Sequence, residues 1–408
     1  MSATGLAKIR HLNEAGICFR LRLNLGEKIL AKSLLSACVL LLAFATGARA
    51  DGYRDFNAGA AASARSDRTA AIKLLSVALG DADLPAHLLV PAYLARGNNY
   101  LEQGQYDSAI ADFTAAIRAR PDRADTWLDR CAGYAAKGMF PEAVADCSSA
   151  IQLQPQNWQI HNFRNSVYIQ MGKYDDAIAD YTPFIAARPK DADLLLGRSD
   201  LFQRKGDFDK AIADADAAGD ISPRWASPYD RMGKIYFTKG DFPKALDNFD
   251  SAIDRWRDGA DGYVVKGQTL WAMGRFDDAA SSFKDSLERS NLQLFAFIWL
   301  AMSQSRQNAK VPEDIAARFA KANLSVWPGP LVQLFLGKVT PDSLLELKGK
   351  DSDTGEDMQC TVDFFVGEWQ QMQGNVTEAR RLLQASASVC SVNFATHQLA
   401  TVDLARLH

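Results

Sequence analysis

Residues 90–123 read VPAYLARGNNYLEQGQYDSAIADFTAAIRARPDR, and the same pattern recurs five more times before residue 294. The most regular feature of the pattern is a glycine, which occurs at positions 104, 138, 172, 206, 240 and 274, each 34 residues after the one before. Small and aromatic residues recur at helical spacing on both sides of each glycine. The repeat therefore predicts an all-α fold in which each copy contributes two helices.

The first copy indicates how each pair of helices is built. Tyr93 and Gly97 fall on one face of a first helix, and Ala109 and Phe113 fall on one face of a second. Gly104 separates the two helices, because glycine tolerates the left-handed conformation at a helix C-terminus. In the first four copies a proline ends the second helix. Each copy is thus predicted to form an antiparallel helical hairpin.

This pattern resembles the tetratricopeptide repeat in its length, turn glycine, alanines, aromatics and proline. The resemblance implies a right-handed superhelical solenoid of antiparallel helix pairs with a concave groove, since one hairpin cannot bury its apolar face alone. We place six repeats at 90–123, 124–157, 158–191, 192–225, 226–259 and 260–293.

The N-terminal 50 residues predict export. A basic stretch precedes the apolar run from Leu34 to Thr46, and Ala48-Arg49-Ala50 fits a signal-peptidase site. Residues 1–50 are therefore interpreted as a signal peptide, and 51–89 as a flexible leader followed by an N-terminal capping helix. Leu35-Ser36-Ala37-Cys38 spells a lipobox, but most of the apolar run follows it. A lipid anchor on Cys38 is the less favoured interpretation, and membrane association is expected only with that lipid.

Removal of residues 1–50 would leave 39 basic and 47 acidic residues, a net charge near −8. This balance argues against nucleic acid or an anionic membrane as the main partner. We expect other proteins or peptides as partners, and a homo-oligomer is compatible with the sequence. The expected location is the periplasm, with association to the outer membrane left open.

The C-terminal third departs from the strict repeat. Residues 294–359 form a divergent helical segment with an irregular corner at Trp327-Pro328, and residues 360–408 recover the motif as a hairpin and a capping helix. This third resembles exported bacterial tetratricopeptide proteins of the NlpI type, in Trp327-Pro-Gly-Pro330, Leu336-Gly-Lys-Val-Thr-Pro341, Phe365-Val-Gly-Glu-Trp369 and Gly374-Asn375. The resemblance implies a cell-envelope adaptor that brings cell-wall hydrolases and an envelope protease together.

A charged pair recurs within the first four repeats. An arginine precedes the small position of the first helix, and an aspartate follows it by sixteen residues: Arg96 and Asp112, Arg130 and Asp146, Arg164 and Asp180, Arg198 and Asp214. In repeats five and six both members change together. We predict four salt bridges, each within its own repeat. The alternative is an arginine ladder that grips acidic ligands from the groove.

Four cysteines follow the predicted signal peptide. Cys131 and Cys147 occupy facing sites of one hairpin, and Cys360 and Cys390 lie at the two ends of another. Export would permit both disulfides. For Cys131 and Cys147, two buried thiols are an equal alternative, whereas a bridge is slightly favoured for Cys360 and Cys390.

The repeat geometry assigns the concave wall to the outward face of each first helix. This selects a partner-binding set: Asn98, Leu101, Asn162, Asp200, Arg204, Lys234, Phe237, Gln268 and Trp271. Phe237 and Trp271 are the preferred contact residues, since aromatic residues are enriched at binding hot spots. A peptide could lie along this wall.

No catalytic, metal or nucleotide motif is present in the sequence, and no cofactor is expected. The leading hypothesis is a non-enzymatic scaffold in the bacterial envelope. A structural or oligomerising component of an envelope polysaccharide or export complex is the alternative. An enzyme with an unrecognised site is the third hypothesis, and turnover by the purified protein would separate it from the other two.

Overall fold

A computed structural model describes residues 51–290, 293–307, 313–322, 324–347, 355–390 and 395–407. The predicted signal peptide and Cys38 lie outside these residues. Every described element is a helix or a turn, and the helices pair into antiparallel hairpins that stack on their neighbours. The predicted all-α solenoid of helix pairs is thus confirmed. The chain divides into two compact units, one ending at Phe184 and the other beginning at Ile185.

The first unit contains an N-terminal hairpin and the first repeats. Its helices are α1 (Asp51–Ala64), α2 (Arg68–Gly80), α3 (Ala86–Glu102), α4 (Tyr106–Ala119), α5 (Ala124–Lys137), α6 (Phe140–Leu153), α7 (Trp158–Gln170) and the greater part of α8 (Tyr174–Ala187). The prediction of a flexible leader after residue 50 is wrong. Alanine-rich α1 favours a helix by propensity, and it packs on α2 through Phe56, Ala62 and Leu75.

The second unit holds the later repeats and the C-terminal third. Its repeat helices are α9 (Ala192–Lys205), α10 (Phe208–Ile221), α11 (Ser227–Thr238), α12 (Phe242–Arg255), α13 (Ala260–Ala272) and α14 (Phe276–Arg289). They are followed by α15 (Leu294–Arg306), α16 (Glu313–Ala320), α17 (Gly329–Phe335), α18 (Pro341–Leu347), α19 (Gly355–Met372), α20 (Val376–Val389) and α21 (Ala395–Arg406). Helix α19 begins at Gly355, ahead of the start predicted at Cys360.

The six spaced glycines make the turns of the six hairpins. Their φ angles run from 68° at Gly172 to 86° at Gly206, a left-handed region in which a Cβ would be strained. Gly374 repeats this geometry between α19 and α20, with φ 82°. The glycines recur every 34 residues because each hairpin turn needs a left-handed backbone conformation, which glycine adopts at the least cost.

A second type of glycine lets the two helices of a hairpin approach. A Cβ placed on Gly97 would lie 2.6 Å from the ring of Phe113, and one on Gly267 would lie 2.5 Å from the ring of Phe283. Real Cβ atoms do not come this close to their neighbours, so the phenylalanine fills the space that the missing side chain leaves. By contrast, a Cβ on Gly219 would meet its nearest neighbour at 3.6 Å, an ordinary contact.

The core of the second unit is centred on Trp299, in the apolar helix α15. Its ring stacks on Phe283 and contacts the edges or faces of Trp271, Phe364 and Phe365, with ring centroids 5.4 to 5.7 Å apart. The strongly apolar sequence of α15 follows from this position, because the helix is covered by α14, α17 and α19. These contacts join the sixth repeat to the C-terminal third.

Candidate partner-binding surface

The predicted wall residues of the first unit lie at the surface. Asn98 and Leu101 of α3 are half-buried, and Asn162 of α7 is exposed. Close to them, Arg68 pairs with Glu102 at 2.5 Å. This wall combines amide, apolar and paired charged groups, so it offers hydrogen-bonding and apolar contacts without a field of one sign.

The wall of repeats four and five is an ion-pair cluster. Asp200 accepts from Arg204 at 2.7 Å and from Arg231 of the next repeat at 2.6 Å. Burial acts to raise the pKa of Asp200, but the two guanidinium groups outweigh it and hold that pKa below its ordinary value. Lys234 pairs with Asp230 on the same helix at 3.0 Å. The predicted residues Asp200, Arg204 and Lys234 are thus near the surface, but each already has a charged partner.

The two preferred contact residues are not exposed, and this part of the prediction is wrong. Phe237 is 6% exposed and contacts the edge of Phe242, and Trp271 is completely buried against Phe276 and Trp299. The physical reason is that the C-terminal helix α21 packs on α11 and α13, the first helices of repeats five and six. Gln268 on α13 remains half-buried.

The C-terminal helix meets the wall through polar as well as apolar contacts. The indole Nε1 of Trp271 donates to Oδ2 of Asp403 at 2.8 Å. Arg406 donates to Oδ1 of Asp403 at 2.8 Å and to the carbonyl oxygen of Ala272 at 2.6 Å. The last turn of α13 thereby gains a donor for a carbonyl that no helical N–H can reach.

A second buried carboxylate lies beneath this contact. Glu368 is completely buried and accepts from Arg306 at 2.7 Å, while its other oxygen has no hydrogen-bond partner in the described residues. Burial, together with the negative charge of Asp403, raises the pKa of Glu368 to about 8 against the opposing effect of Arg306. Burial also raises the pKa of Asp403.

Sequence reasoning missed this acid–arginine cluster. The available signal was an acidic residue inside an otherwise apolar helical stretch, at Glu368 after Phe364-Phe-Val-Gly and at Asp403 between Val402 and Leu404. Such residues are seldom fully buried without a partner. The identity of that partner was not readable, because Trp271 and Asp403 are 132 residues apart.

The structure brings together each of the four recurring charged pairs within its own repeat. Every arginine donates from Nε and Nη2 to both carboxylate oxygens of the aspartate sixteen residues later, a bidentate geometry. The shortest distances are 2.7 Å for Arg96–Asp112, 2.6 Å for Arg130–Asp146 and 2.7 Å for Arg198–Asp214, and Arg164 contacts Asp180 in the same way.

The surroundings of these arginines argue against a ligand-gripping ladder. Arg130 lies over the rings of Trp127 and Tyr134 and donates from its third nitrogen to Thr114. Its side chain is 15% exposed and that of Asp146 is 7% exposed. The guanidinium therefore has partners at its edges and at its face, in its own hairpin and in the one before it, which is a structural role.

Repeats five and six replace the pair with other contacts. Lys266 bonds to Asp250, one helix back along the chain, at 2.6 Å, and Ser282 donates to the backbone carbonyl of Tyr263 at 2.8 Å. Asn248 donates to the carbonyl of Lys244 in its own helix. Neither member of the original pair is left behind as a buried charge, which accounts for their joint replacement.

Both cysteine pairs form disulfides inside single hairpins. Cys131 on α5 is bonded to Cys147 on α6 with a Cα–Cα distance of 5.6 Å, and Cys360 on α19 is bonded to Cys390 after α20 with a distance of 5.3 Å. Both distances are usual for this bond. The buried-thiol alternative for the first pair is not what the structure contains.

The described residues contain no helix that combines the length and apolarity needed to cross a membrane. Within the same ranges, no three His, Cys, Asp or Glu residues are grouped so that they could hold a metal ion.

Several solved structures are similar to this chain. A tetratricopeptide repeat protein from Parabacteroides merdae is 18% identical over 62% of this chain and 98% of its own, with a TM-score of 0.45. A thermophilic tetratricopeptide repeat protein from Thermus thermophilus is 18% identical over 44% of this chain and 98% of its own, with a TM-score of 0.35. YrrB, described as having an unusual peptide-binding site, is 19% identical over 45% of this chain and 93% of its own, with a TM-score of 0.35.

The repeats also match a family at the level of sequence. Residues 94–157, 166–224 and 231–293 match the profile of the tetratricopeptide repeat. These ranges contain the six turn glycines that are spaced 34 residues apart. The chain therefore contains tetratricopeptide repeats between residues 94 and 293, and these stacked hairpins form a protein-binding scaffold.

Proposed function

We propose that this protein is a non-enzymatic adaptor of the bacterial cell envelope that binds other proteins through the first-helix wall of its early repeats. This surface is assigned because Asn162 on that wall is exposed. In repeats five and six, by contrast, Phe237 and Trp271 on the wall are buried. Proteins of this family generally act by holding partners rather than by catalysis. The resemblance of the C-terminal third to NlpI-type proteins suggests cell-wall hydrolases and an envelope protease as those partners.

Export is supported by the two disulfides. Each closes a single hairpin, Cys131 with Cys147 and Cys360 with Cys390. Disulfides of this kind persist in oxidising compartments and are rare in the cytosol. We therefore propose the periplasm as the location, as the apolar run ahead of Asp51 suggests.

Site-specific photo-crosslinking in cells tests the binding surface. A photoreactive amino acid at Asn162 probes the wall, and one at Glu142, exposed on the second helix α6, serves as the matched control. We expect a cell-wall hydrolase or an envelope protease to be captured from Asn162 and not from Glu142. Equal capture from both positions would contradict the assignment of the wall. Capture of a polysaccharide synthase or an export complex would replace the adaptor hypothesis with a structural one.

Thiol labelling tests the location. A maleimide reagent added to denatured cell extract before reduction should leave all four of these cysteines unlabelled, and should label them after reduction. Labelling without reduction would contradict export into an oxidising compartment. Turnover by the purified protein that disappears when one carboxylate is replaced would contradict the non-enzymatic role.

A further inference from the structure

The C-terminal helix α21 lies on a surface that the repeats otherwise leave open. It packs on the first helices α11 and α13, in addition to its sequence neighbours α19 and α20. Leu399, Ala400 and Asp403 on its inner face are completely buried, while Thr401 and Ala405 on its outer face are exposed. This amphipathic helix covers the wall of repeats five and six as a bound helical peptide would.

The contacts of α21 with the wall include specific polar groups. The indole N–H of Trp271 selects an acceptor at the position of Asp403, and the exposed carbonyl end of α13 selects a donor at the position of Arg406. A cation is also favoured there by the helix dipole. The two side chains are three residues apart on one helical face and bond to each other at 2.8 Å. The wall therefore recognises a carboxylate and a guanidinium held at helical spacing.

We propose that α21 is an intramolecular ligand, and that the wall of repeats five and six takes a partner helix that presents a carboxylate and a guanidinium three residues apart. This inference rests on the proposed function of protein binding and specifies a second surface for it. In the free protein the surface is self-occupied. A partner helix displaces α21 and makes the same bonds to Trp271 and to the carbonyl of Ala272.

The length of α21 makes displacement physically reasonable. It has 12 residues, and isolated helices below about 12 to 15 residues are marginal in water, so its helical form depends on docking. Its tether gives it an effective concentration on the order of millimolar, which a free competitor must exceed. The apparent affinity for a partner is therefore the intrinsic affinity multiplied by the fraction of molecules in which the wall is open.

A labelled peptide provides the test. The probe is a fluorescent synthetic peptide of residues 395–407, ATHQLATVDLARL, titrated into the full-length exported chain. The variant Asp403→Ala with Arg406→Ala weakens the intramolecular helix and leaves the wall intact. We expect this variant to bind the peptide at least tenfold more tightly than the wild type does. The exposed-face variant Thr401→Ala should bind as the wild type does, and a peptide with alanine at both positions should bind neither.

Hydrogen–deuterium exchange makes each outcome decisive. In the double variant, amides of α21 and of the α13 segment beneath it should exchange faster than in the wild type. Unchanged exchange would overturn the proposal, because these side chains would not hold the helix. Faster exchange without a gain in peptide affinity would overturn it as well, because the exposed wall would not bind a helix.

A milder variant covers the case in which the double variant fails to fold. Arg406→Gln removes the guanidinium from a side chain that is 27% exposed, and Arg406→Lys restores the charge. The first should bind the peptide more tightly than the wild type and the second should reverse the gain. No difference between the two would overturn the proposal. Crosslinking from Asn162 does not depend on α21, so its result tests the adaptor function separately.

Discussion

Replacement of Arg96 by alanine should lower the free energy of unfolding by about 3 to 5 kcal/mol, the usual cost of leaving a buried charge without its partner. Asp112 keeps 5% of its side chain exposed and accepts two bonds from the guanidinium, at 2.8 and 2.7 Å. The double variant with Asp112→Ala removes the orphaned carboxylate too. It should therefore lose less than the sum of the two single variants, with a coupling energy of about 2 kcal/mol or more.

The chain supplies a matched control that differs mainly in burial. Arg381 and Glu378 form a bidentate pair with distances of 2.8 and 2.5 Å, but their side chains are 60% and 31% exposed. Solvent screening and side-chain entropy should limit their coupling to about 0.5 kcal/mol or less. If bidentate geometry alone set the strength, the two pairs would couple equally.

Urea denaturation followed by far-UV circular dichroism gives both cycles. Equal m-values among the variants are required, since a changed m-value means that the unfolding transition itself has changed. Additive losses at Arg96 and Asp112 would refute the reasoning, because two residues that do not interact lose stability independently. So would a coupling energy no larger than that of the exposed pair.

Three further predictions concern stability. Burial raises the pKa of Glu368 to about 8, so the folded chain keeps a proton that the unfolded chain loses above about pH 4.3. The contribution of Glu368 to stability should therefore be fully present below about pH 4.3 and be lost as the pH rises to about 8, and thermal melts of Glu368→Gln should lack this loss. Gly267→Ala should lower the free energy of unfolding, measured by urea denaturation, by about 1 to 3 kcal/mol, because its Cβ would overlap the ring of Phe283. Gly219→Ala should be neutral or stabilising by up to about 1 kcal/mol. Equal effects of the two substitutions would contradict the close-approach argument. Replacing Cys131 and Cys147 by serine opens a link of 16 residues and should cost about 3 kcal/mol, whereas an unchanged urea midpoint would show that the bridge does not constrain the unfolded chain.

The repeat region was largely predictable because its determinants are local. The turn at Gly104, the close approach at Gly97 and the pairing of Arg96 with Asp112 all lie within one 34-residue copy. Sequence spacing is a good guide to geometry when both partners sit on adjacent helices of known register. The helix α1 was missed because its alanines and glycines carry little amphipathic pattern, although they pack closely on α2.

The burial of the wall of repeats five and six could not be predicted in the same way. The repeat places Phe237 and Trp271 on first helices, at a position where Leu101 and Ile169 are half-buried in earlier copies, and nothing local indicates that a distant helix covers them. Their aromatic character was a signal of burial rather than of an open contact site. The tertiary contacts of Trp271 with Asp403 and Trp299 distinguish the two interpretations.

The containment of each charged pair inside one hairpin has a consequence for how such a chain can lengthen. A duplicated 34-residue segment carries both Arg130 and Asp146, so each buried charge in the new copy already has its partner. The bond that crosses to the previous hairpin, from Arg130 to Thr114, ends on a neutral hydroxyl, and its loss strands no charge. Whole segments can therefore be gained or deleted by recombination without an intermediate that buries an unpaired ion, and repeat number can vary more freely than residue identity at these two positions.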